Sequence, residues 1–440
     1  MKLFAHQERI ASRMTKSKAL LIAADTGTGK TITCLEALSR LQEFPALVLA
    51  PKHVVTHAWL EDARKHYPLL RIVAAVGTKK KRNEAFKAIH EGRADVLVMN
   101  YEAALYTQEA VLWFEWKVII LDESTKLKGP KTATTKFFHN VSNRLPDARK
   151  FCLSGYPAPN DRRDLWGQLH FLQPGVLPRS FFQFQRQFFW QPREFVWREK
   201  IGCDAEIDRL TKDHIVWVRK EDCLDLPEKM VVDHQVELDK EERKAYKQLV
   251  DEWVLELGDD DVIAGSAMTQ LMKCRQMTAG VVKDVEGKWH ELGRTKLNVV
   301  KELVAGERGQ CIVVGQFRYE IERLVDALGD ARPLYGAMGG EADRNIRDFK
   351  AGKFKSLVVH PGTMSHGLTF TNCARMIFAS MDYSYETYVQ VMDRIHRIGQ
   401  TKKCTYDRIL AKNTVDYAIA AAMERKSNVT LEMLKNARAI

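Results

Sequence analysis

The most regular feature of this 440-residue chain is an alternation of short apolar runs with amphipathic stretches, which occurs twice. In the N-terminal half, the apolar runs are ALLIAA (19–24), ALVLA (46–50), DVLVMN (95–100), KVIILDE (117–123) and KFCLSG (150–155). Runs that are apolar throughout are typical of parallel strands covered by helices on both faces. Because ligands bind outside the carboxyl ends of such strands, the loops that follow the runs are the first candidates for a site.

The C-terminal half repeats this arrangement with helical stretches between its strands. The second set of runs is CIVVGQF (311–317), PLYG (333–336), SLVVHPG (356–362), RMIFAS (375–380) and CTYDRIL (404–410). The pattern predicts an α/β fold with two tandem lobes, each built on a parallel sheet. We predict that the first lobe covers residues 1–174 and the second residues 291–440.

A helical, aromatic-rich connecting region is predicted between the lobes, over residues 175–290. Its stretch 179–200 carries eight aromatic residues and five Arg or Lys residues. The interpretation that we favour is a helical elaboration whose aromatics pack against the first lobe. The alternative is a platform on which single-stranded bases stack.

Charge and composition narrow the class of protein. The chain has 68 Lys and Arg against 57 Asp and Glu, a net charge of +11, which favours a polyanionic partner such as nucleic acid. Its eight cysteines are scattered singly without a CxxC pair, as expected of buried thiols in a reducing compartment. No apolar run approaches the roughly 18 residues of a membrane span, so we predict an intracellular protein without a membrane partner.

The sequence ADTGTGKT (24–31) lies between an apolar strand and a helical stretch, the context that a P-loop requires. Glycines let backbone N–H groups converge on phosphate oxygens, the lysine reaches the β and γ phosphates, and the threonine hydroxyl after it binds Mg²⁺. The residues that we expect to contact ATP are therefore Thr26, Gly27, Thr28, Gly29, Lys30 and Thr31. The first glycine of the usual pattern is absent, since position 24 is alanine and position 25 is aspartate.

The strand KVIILDE ends in an acidic pair beside the predicted P-loop strand. Asp122 is expected to be the second Mg²⁺ anchor, and Glu123 the general base that orients or deprotonates the attacking water. Acidic pairs after strands also serve as helix caps, an interpretation that the nearby P-loop disfavours.

The stretch DRIHRIGQ (393–400) places Arg394 and Arg397 three positions apart, a spacing that predicts one shared helix face. A solvated face would also explain two arginines. Beside a P-loop and its acidic partner, we interpret them as arginine fingers that act on the γ-phosphate. ATP held by both lobes would then gate a hinge, which is the behaviour of a motor.

These motifs together resemble the Swi/Snf-type DNA translocases and remodelling ATPases of helicase superfamily 2. The resemblance is carried by DRIHRIGQ, with LVLAPKHVVTHAW (47–59), LSGYPAPN (153–160) and HPGTMSHGLTFTNC (360–373). It implies two RecA-like P-loop lobes and a DNA-stimulated ATP hydrolase that uses ATP and Mg²⁺. The chain departs from the family pattern at Thr125, Tyr156 and His366.

The resemblance also implies further site residues. Gln7 would lie at the edge of the adenine ring, and Gly367, in the stretch HPGTMSHGLTFTNC (360–373), would contact the nucleotide. Nucleic acid would be contacted through phosphate and sugar, without sequence preference, because a moving motor cannot read bases. The residues placed in that groove are Lys52, Asn100, Tyr101, Gln316, Phe317, Thr363 and Thr369.

The function expected from the sequence is an ATP-dependent helicase or translocase that couples hydrolysis between two lobes to movement along duplex or branched DNA. We expect a compact bacterial or phage-like member, because 440 residues leave no room for chromatin readers. It would act as a monomer in the cytoplasm of a bacterium or a virus-infected host cell, with replication or recombination proteins as further partners.

Two alternatives stay open at this point. An RNA-directed superfamily 2 helicase is disfavoured, because that group carries Asp-Glu-Ala-Asp where this chain has Asp-Glu-Ser-Thr. A DNA-binding scaffold that uses ATP only as a structural ligand is disfavoured by the intact catalytic set.

Overall fold

The structure is a computed structural model, and it describes residues 2–193, 196–252, 254–257, 260–263, 267–364 and 368–439. The chain divides into two compact units. The first unit consists of Met1–Asp225 and Lys426–Ile440, and the second of Leu226–Arg425. The three domain ranges proposed above from the sequence stay predictions.

The first unit alternates strands with helices. Its described strands are β1 (Ala19–Ala24), β2 (Ala46–Leu49), β3 (Ile72–Ala74), β4 (Val96–Met99), β5 (Val118–Asp122), β6 (Arg149–Ser154), β7 (Phe189–Arg193), β8 (Val196–Glu199) and β9 (Ile215–Val218). Its described helices are α1 (Ala5–Lys16), α2 (Lys30–Leu41), α3 (Lys52–Val54), α4 (Glu61–His66), α5 (Lys79–His90), α6 (Tyr101–Tyr106), α7 (Gln108–Trp113), α8 (Ala133–Arg144), α9 (Leu165–Leu172), α10 (Phe181–Phe188), α11 (Cys203–Thr211) and α12 (Lys220–Cys223). A π-helical turn spans Val55–Leu60, and 3₁₀ turns span Ser124–Leu127 and Arg162–Asp164.

Seven of these strands form one sheet in the order β3-β4-β2-β5-β6-β1-β9. Every pairing in it is parallel. On β1, Leu21 and Ala23 pack into one apolar cluster, whereas Leu20 and Ile22 pack into another. Because successive side chains of a strand point to opposite faces, the sheet is covered on both sides. The prediction of buried parallel strands is confirmed here.

The second unit repeats the architecture. Its described strands are β10 (Lys229–Val236), β11 (Val254–Leu257), β12 (Asp260–Ile263), β13 (Val281–Lys283), β14 (Trp289–Glu291), β15 (Cys311–Val314), β16 (Ala331–Leu334), β17 (Ser356–Val359), β18 (Arg375–Phe378) and β19 (Cys404–Ala411). Its described helices are α13 (Lys240–Glu252), α14 (Ala267–Thr278), α15 (Thr295–Gly306), α16 (Arg318–Leu328), α17 (Gly340–Lys350), α18 (Pro361–Met364), α19 (Tyr385–Met392) and α20 (Val415–Ala439), the last of which extends past the limit of this unit.

Six strands of the second unit form a parallel sheet in the order β10-β19-β18-β15-β17-β16. All four residues of β15 and of β17 are buried, and all of them except Ser356 belong to one apolar cluster with residues of the neighbouring strands and helices. The predicted fold class, α/β with two parallel sheets, is confirmed.

Parallel pairing fixes where the candidate residues emerge. The glycine-rich loop follows β1, the Asp-Glu pair ends β5, and Lys52 and Asn100 follow β2 and β4. All these positions lie at the carboxyl edge of one sheet, because parallel strands end on the same side. The sheet therefore gathers residues that are up to about a hundred positions apart in the chain.

The aromatic-rich stretch packs only in part against the first unit. Phe184, Phe188 and Phe189 are buried in an apolar cluster of that unit. The ring centre of Phe184 lies 5.4 Å from that of Phe188 and 5.5 Å from that of Phe189. Phe182 and Trp190 are exposed. In the part of the chain that the structure describes, no helix is long and apolar enough to cross a membrane.

Gly167 is a point where two elements of the first unit touch at backbone level. A Cβ atom there would lie 2.0 Å from the carbonyl oxygen of Leu127, in the turn that follows the Asp-Glu pair. We predict that Gly167→Ala lowers the free energy of unfolding by about 2–4 kcal/mol, since backbone has to move to admit the methyl group. Gly306→Ala is the control, because nothing lies within 4 Å of a Cβ at that position. Equal denaturation midpoints for the two variants would contradict the prediction.

Candidate nucleotide site

The loop between β1 and α2 has a backbone that only glycine adopts readily. Gly27 has φ +90° and Gly29 has φ +85°, both in the left-handed region. A Cβ at Gly29 would also lie 2.2 Å from Nε2 of Gln7. The glycines that the sequence singled out therefore shape the loop itself.

Lys30 begins α2, and its side chain turns back over the loop. The ammonium Nζ donates to the carbonyl oxygens of Ala24 at 2.7 Å and of Asp25 at 3.4 Å. Oγ1 of Thr28 donates to the same Asp25 carbonyl at 2.8 Å. The loop thus encloses a positive charge at the N-terminus of a twelve-residue helix, where anions are favoured.

Gln7 holds the loop from α1. Its Nε2 donates to the carbonyl oxygen of Thr28 at 3.0 Å, and its Oε1 accepts from the backbone N–H of Phe4 at 3.1 Å. His6 Nε2 lies 2.9 Å from the same Thr28 oxygen. The side chain that the resemblance placed at the adenine is thus also a brace of the phosphate loop.

Asp25, the residue that follows Ala24 at the start of the loop, has a structural role. Its Oδ2 accepts from the backbone N–H of Lys220 at 3.0 Å, and its own N–H donates to the carbonyl of Val218 at 3.0 Å. These bonds join the loop to the edge strand β9 and to the start of α12. The carboxylate therefore ties the loop to the last segment of the first unit.

Asp122 is buried at the end of β5 and is held on both carboxylate oxygens. Oδ2 accepts from the indole Nε1 of Trp59 at 3.0 Å, and Oδ1 accepts from the N–H of Glu123 at 3.1 Å. Burial raises the pKa of Asp122, while the Trp59 hydrogen bond and the charge of Lys30 oppose that shift. The hydroxyl of Tyr101 donates to the Asp122 carbonyl at 2.8 Å and fixes the backbone there.

These residues fit a magnesium ion bound together with nucleotide phosphates. Asp122 supplies one buried carboxylate, and Thr31 supplies a hydroxyl in the first turn of α2. Among the described residues, no group of three or more His, Cys, Asp or Glu side chains forms a closed metal site. One carboxylate and one hydroxyl fit Mg²⁺, which takes one or two protein ligands and completes its shell with phosphate oxygens and water.

The stretch LSGYPAPN (153–160) begins at the end of β6 and lies beside the same loop. A Cβ at Gly155 would be 3.5 Å from Oγ1 of Thr26, so the end of β6 borders the loop. The Ser124 hydroxyl donates to Oε1 of Gln168 at 2.7 Å, which links the turn after the Asp-Glu pair to α9. Tyr156 donates its backbone N–H to Oγ of Ser154 at 3.1 Å.

The predicted groove residues of the first unit differ in exposure. Lys52 is exposed at the start of α3. Asn100 occupies the N-cap position of α6 without a capping hydrogen bond from its side chain. Its Nδ2 donates instead to Oε2 of Glu102 at 2.7 Å. Tyr101 is only 2% exposed, which leaves its ring no surface for a nucleic acid. In this structure Tyr101 serves the Asp-Glu pair instead.

Arg394 and Arg397 do not share a helix face, so that prediction was wrong. Helix α19 ends at Met392, and both arginines lie in the turns that follow, which close at Gly399 with φ +97°. The helical spacing misled because side-chain contacts of this segment favour a turn that wraps around residues 368–370.

The two arginines differ in their surroundings. Arg394 is 3% exposed, its Nη1 donates to the Leu368 carbonyl at 3.3 Å, and its own carbonyl accepts from the N–H of Phe370. Arg397 is half-buried and donates to Oγ1 of Thr369 at 3.1 Å. Burial lowers the pKa of Arg397 from its usual value, against the charge of Asp393.

The other candidates of the second unit lie after β15 and β17. Gln316 and Phe317 donate their N–H groups to Oε2 of Glu320 at 2.8 and 3.2 Å, and the Arg275 guanidinium lies 5.8 Å from the Phe317 ring centre. Thr363 is half-buried in the short helix α18. Gly367 and His366 lie outside the described residues.

Sequence reasoning did not single out Trp59 or Asp25 as parts of the site. Trp59 is the last residue of the stretch LVLAPKHVVTHAW (47–59). It lies in the π-helical turn Val55–Leu60, and its indole N–H donates to Asp122. Irregular helical turns of this kind occur often at functional sites. The role of Asp25 depends on a tertiary contact with Lys220, which the sequence pattern does not display.

The glycine loop, the Asp-Glu pair and two parallel-sheet units define an ATPase of the helicase type. Two family models identify it further: the SNF2-related domain matches residues 6–282, and the helicase conserved C-terminal domain matches residues 295–399. The first match covers more than half of the chain. The chain therefore belongs to the SNF2-related family.

Several individual proteins are similar over nearly the whole chain. Protein p41 of Acyrthosiphon pisum secondary endosymbiont phage 1 is 28% identical, covering 96% of this chain and 95% of its own. The SWI/SNF-related matrix-associated actin-dependent regulator of chromatin subfamily A member 1 of Mus musculus is 24% identical over 96% of this chain. An uncharacterised ATP-dependent helicase, MG018, of Mycoplasma genitalium is 23% identical over 94% of this chain.

The chain spans 42% of the mouse protein and 40% of the Mycoplasma protein, so it matches less than half of each. Among solved structures, the Sulfolobus solfataricus SWI2/SNF2 ATPase core in complex with dsDNA is 22% identical, with a TM-score of 0.48. That alignment covers 99% of this chain and 94% of the other.

The tie between Asp25 and Lys220 gives a prediction for loop stability. Asp25→Ala leaves the Lys220 N–H without its carboxylate acceptor, so we expect the free energy of unfolding to fall by about 1–3 kcal/mol. Affinity for a fluorescent ATP analogue should fall with it, because the loop loses its anchor. Asp25→Asn keeps one acceptor oxygen and is the matched control. If both variants unfold at the same urea concentration as the wild type, the tie does not stabilise the loop.

Proposed function

We propose that this protein is a DNA-stimulated ATPase that moves along duplex or branched DNA. The observation that carries the proposal is that Lys30 and Asp122 both lie at the carboxyl edge of one parallel sheet. One supplies a positive charge inside a glycine loop, and the other a buried carboxylate. That pair is what binding of a triphosphate with its magnesium ion requires.

The loop residues bind the phosphates in this proposal. N–H groups of residues 26–31 donate to the phosphate oxygens, and the Lys30 ammonium exchanges the carbonyls of Ala24 and Asp25 for the β and γ phosphates. Thr31 and Asp122 would hold Mg²⁺, which when bound neutralises charge that develops on the phosphates. Gln7 keeps the loop in position through Thr28.

Glu123 is proposed to act on the attacking water. Its backbone has φ +54° and ψ +53°, a left-handed conformation that is costly for a residue with a Cβ. Such conformations cluster at active sites, where the surrounding structure enforces them. The Asp122 side chain, which accepts the N–H of Glu123, is part of that enforcement. The carboxylate then accepts the water proton as the general base.

The two arginines of the second unit are given different roles. Arg397 is proposed as the arginine finger, because it is half-buried and, among the described residues, its guanidinium donates to the Thr369 hydroxyl and the Asp393 carbonyl alone. Arg394 is buried and bonded to the 368–370 segment, so we propose that it positions that segment.

DNA is the proposed track. The net charge of +11 favours a polyanion, and Lys52, Gln316 and Phe317 lie at loops after parallel strands, where an extended backbone is reachable. The family match is to the SNF2-related domain, and curated relatives include a regulator of chromatin, which favours DNA over RNA. A cytoplasmic location, a monomeric state and replication or recombination partners belong to the same proposal.

A panel of activators tests the proposal. Steady-state ATP hydrolysis should rise strongly with duplex DNA or a branched junction and little with RNA, because contacts are to a DNA backbone. Lys30→Ala and Glu123→Gln should abolish turnover while DNA binding persists, since neither residue is placed in the DNA groove. Stimulation by RNA alone would overturn the DNA assignment, and normal turnover in either variant would overturn the site.

The separate roles of the arginines give a second test. Arg397→Ala should lower kcat by about 10³–10⁵-fold, the contribution of an arginine finger, with nucleotide affinity changed only a few-fold. Arg394→Ala should lower the thermal unfolding temperature as well, because it removes the hydrogen bond to the half-buried Leu368 carbonyl. Arg308→Ala, at an exposed loop position, is the control. A loss of affinity without a loss of kcat in Arg397→Ala would exclude the finger.

A further inference from the structure

The hairpin formed by β7 and β8 belongs to the first unit and presents an exposed tryptophan. Trp190 is 50% exposed, and Arg198 is its partner across the antiparallel ladder. Cross-strand partners project from the same face of a hairpin. An indole ring and a guanidinium group therefore stand side by side in solvent.

The opposite face of the hairpin is firmly anchored. Phe189 is buried and Glu199, its cross-strand partner, accepts from Nη1 of Arg162 at 2.9 Å. The guanidinium of Arg163 lies 5.8 Å from the ring centre of Phe189 and 5.6 Å from that of Trp197. Because successive side chains alternate between faces, these inward contacts fix Trp190 and Arg198 outward.

The anchor itself is a buried ion cluster. Besides Glu199, Arg162 binds both carboxylate oxygens of Asp208 on α11, at 3.2 and 3.1 Å. Arg162 and Arg163 follow shortly after the stretch LSGYPAPN (153–160). The hairpin is therefore held by the segment that leads away from β6.

Positive charge surrounds the exposed ring. Arg186, Arg198 and Lys200 are all exposed, and Nζ of Lys200 donates to the carbonyl of Arg186 at 2.7 Å, which brings the end of α10 next to the hairpin. These three side chains form no ion pair with another described residue. Phe182, on α10, adds a second exposed aromatic ring.

We propose that this surface, the hairpin platform (Phe182, Arg186, Trp190, Arg198 and Lys200), binds a single strand of nucleic acid. An unpaired base stacks on Trp190, and the basic side chains neutralise the neighbouring phosphates. Exposed aromatics interleaved with basic groups are how proteins hold single strands without reading sequence. In duplex DNA the base faces are already stacked on one another, so the ring selects unpaired bases.

The platform would give the motor a contact with the unpaired strand of a branched substrate. This inference rests on the proposed function for its biological meaning, but its binding step needs no nucleotide. Binding of single strands measured without ATP therefore tests the platform alone, while the activator panel tests the motor.

The test is fluorescence anisotropy of labelled oligonucleotides, measured without ATP. The three ligands are an oligo-dT of about 20 nucleotides, an oligo-rU of the same length and a blunt duplex. We expect Trp190→Ala to weaken binding of the single strands by about 5- to 150-fold, the range for loss of one stacked base. Duplex binding should change less than twofold. Trp190→Phe should restore most of the affinity, because it keeps a stacking ring.

Trp113→Ala is the matched control, since Trp113 is 61% exposed on α7 of the same unit. It should bind all three ligands as the wild type does. A fall in affinity for dT but not for rU, or the reverse, supports the platform and identifies the strand. Equal losses for duplex and single strand overturn the stacking role. Wild-type binding by Trp190→Ala in every arm also overturns the proposal, and would leave the exposed ring to a protein partner.

Discussion

The enclosure of one ammonium group by backbone carbonyls organises the nucleotide site of the first unit. Lys30 reaches back to the carbonyl oxygens of Ala24, the last residue of β1, and of Asp25, which follows it. That is feasible only because Gly27 and Gly29 take positive φ angles, which bring the start of α2 over the end of β1. The charge so placed acts on the buried carboxylate of Asp122, whose pKa its burial raises.

Other parts of the first unit serve this arrangement. The loop is held from α1 by Gln7 and from β9 by Asp25, so it is braced on two sides by the same unit. Asp122 is held by Trp59 from one side, and its backbone by Tyr101 from another. The carboxylate and the backbone N–H of Asp25 thus attach the loop to α12 and to β9.

Much of the fold was predictable because burial on both faces leaves an unmistakable signal. The run at 19–24 became β1 with the same limits, and the other continuous runs became strands whose ends lie within about three residues of the predicted ones. Two edge strands, β3 and β10, escaped notice for the same physical reason. β3 has three half-buried residues, and β10 is largely exposed along its length, so neither has a continuous apolar run. Their strand character comes from pairing with β4 and β19.

Spacing alone was a poorer guide for the second unit. Arg394 and Arg397 stand three apart, but the helix stops at Met392 and the chain turns to contact residues 368–370. Such contacts are tertiary, and a single sequence does not display them. The ring of Trp190 is a similar case: composition showed aromatics among basic residues, but only the hairpin register shows which ring faces solvent.

Hydrogen–deuterium exchange with Mg²⁺ and a non-hydrolysable ATP analogue tests the central claim most directly. If the loop after β1 binds the phosphates, amide exchange of residues 26–31 and 122–124 slows on binding, while that of α8 is unchanged. Unaltered exchange across residues 24–31 at a saturating concentration of analogue would contradict the account.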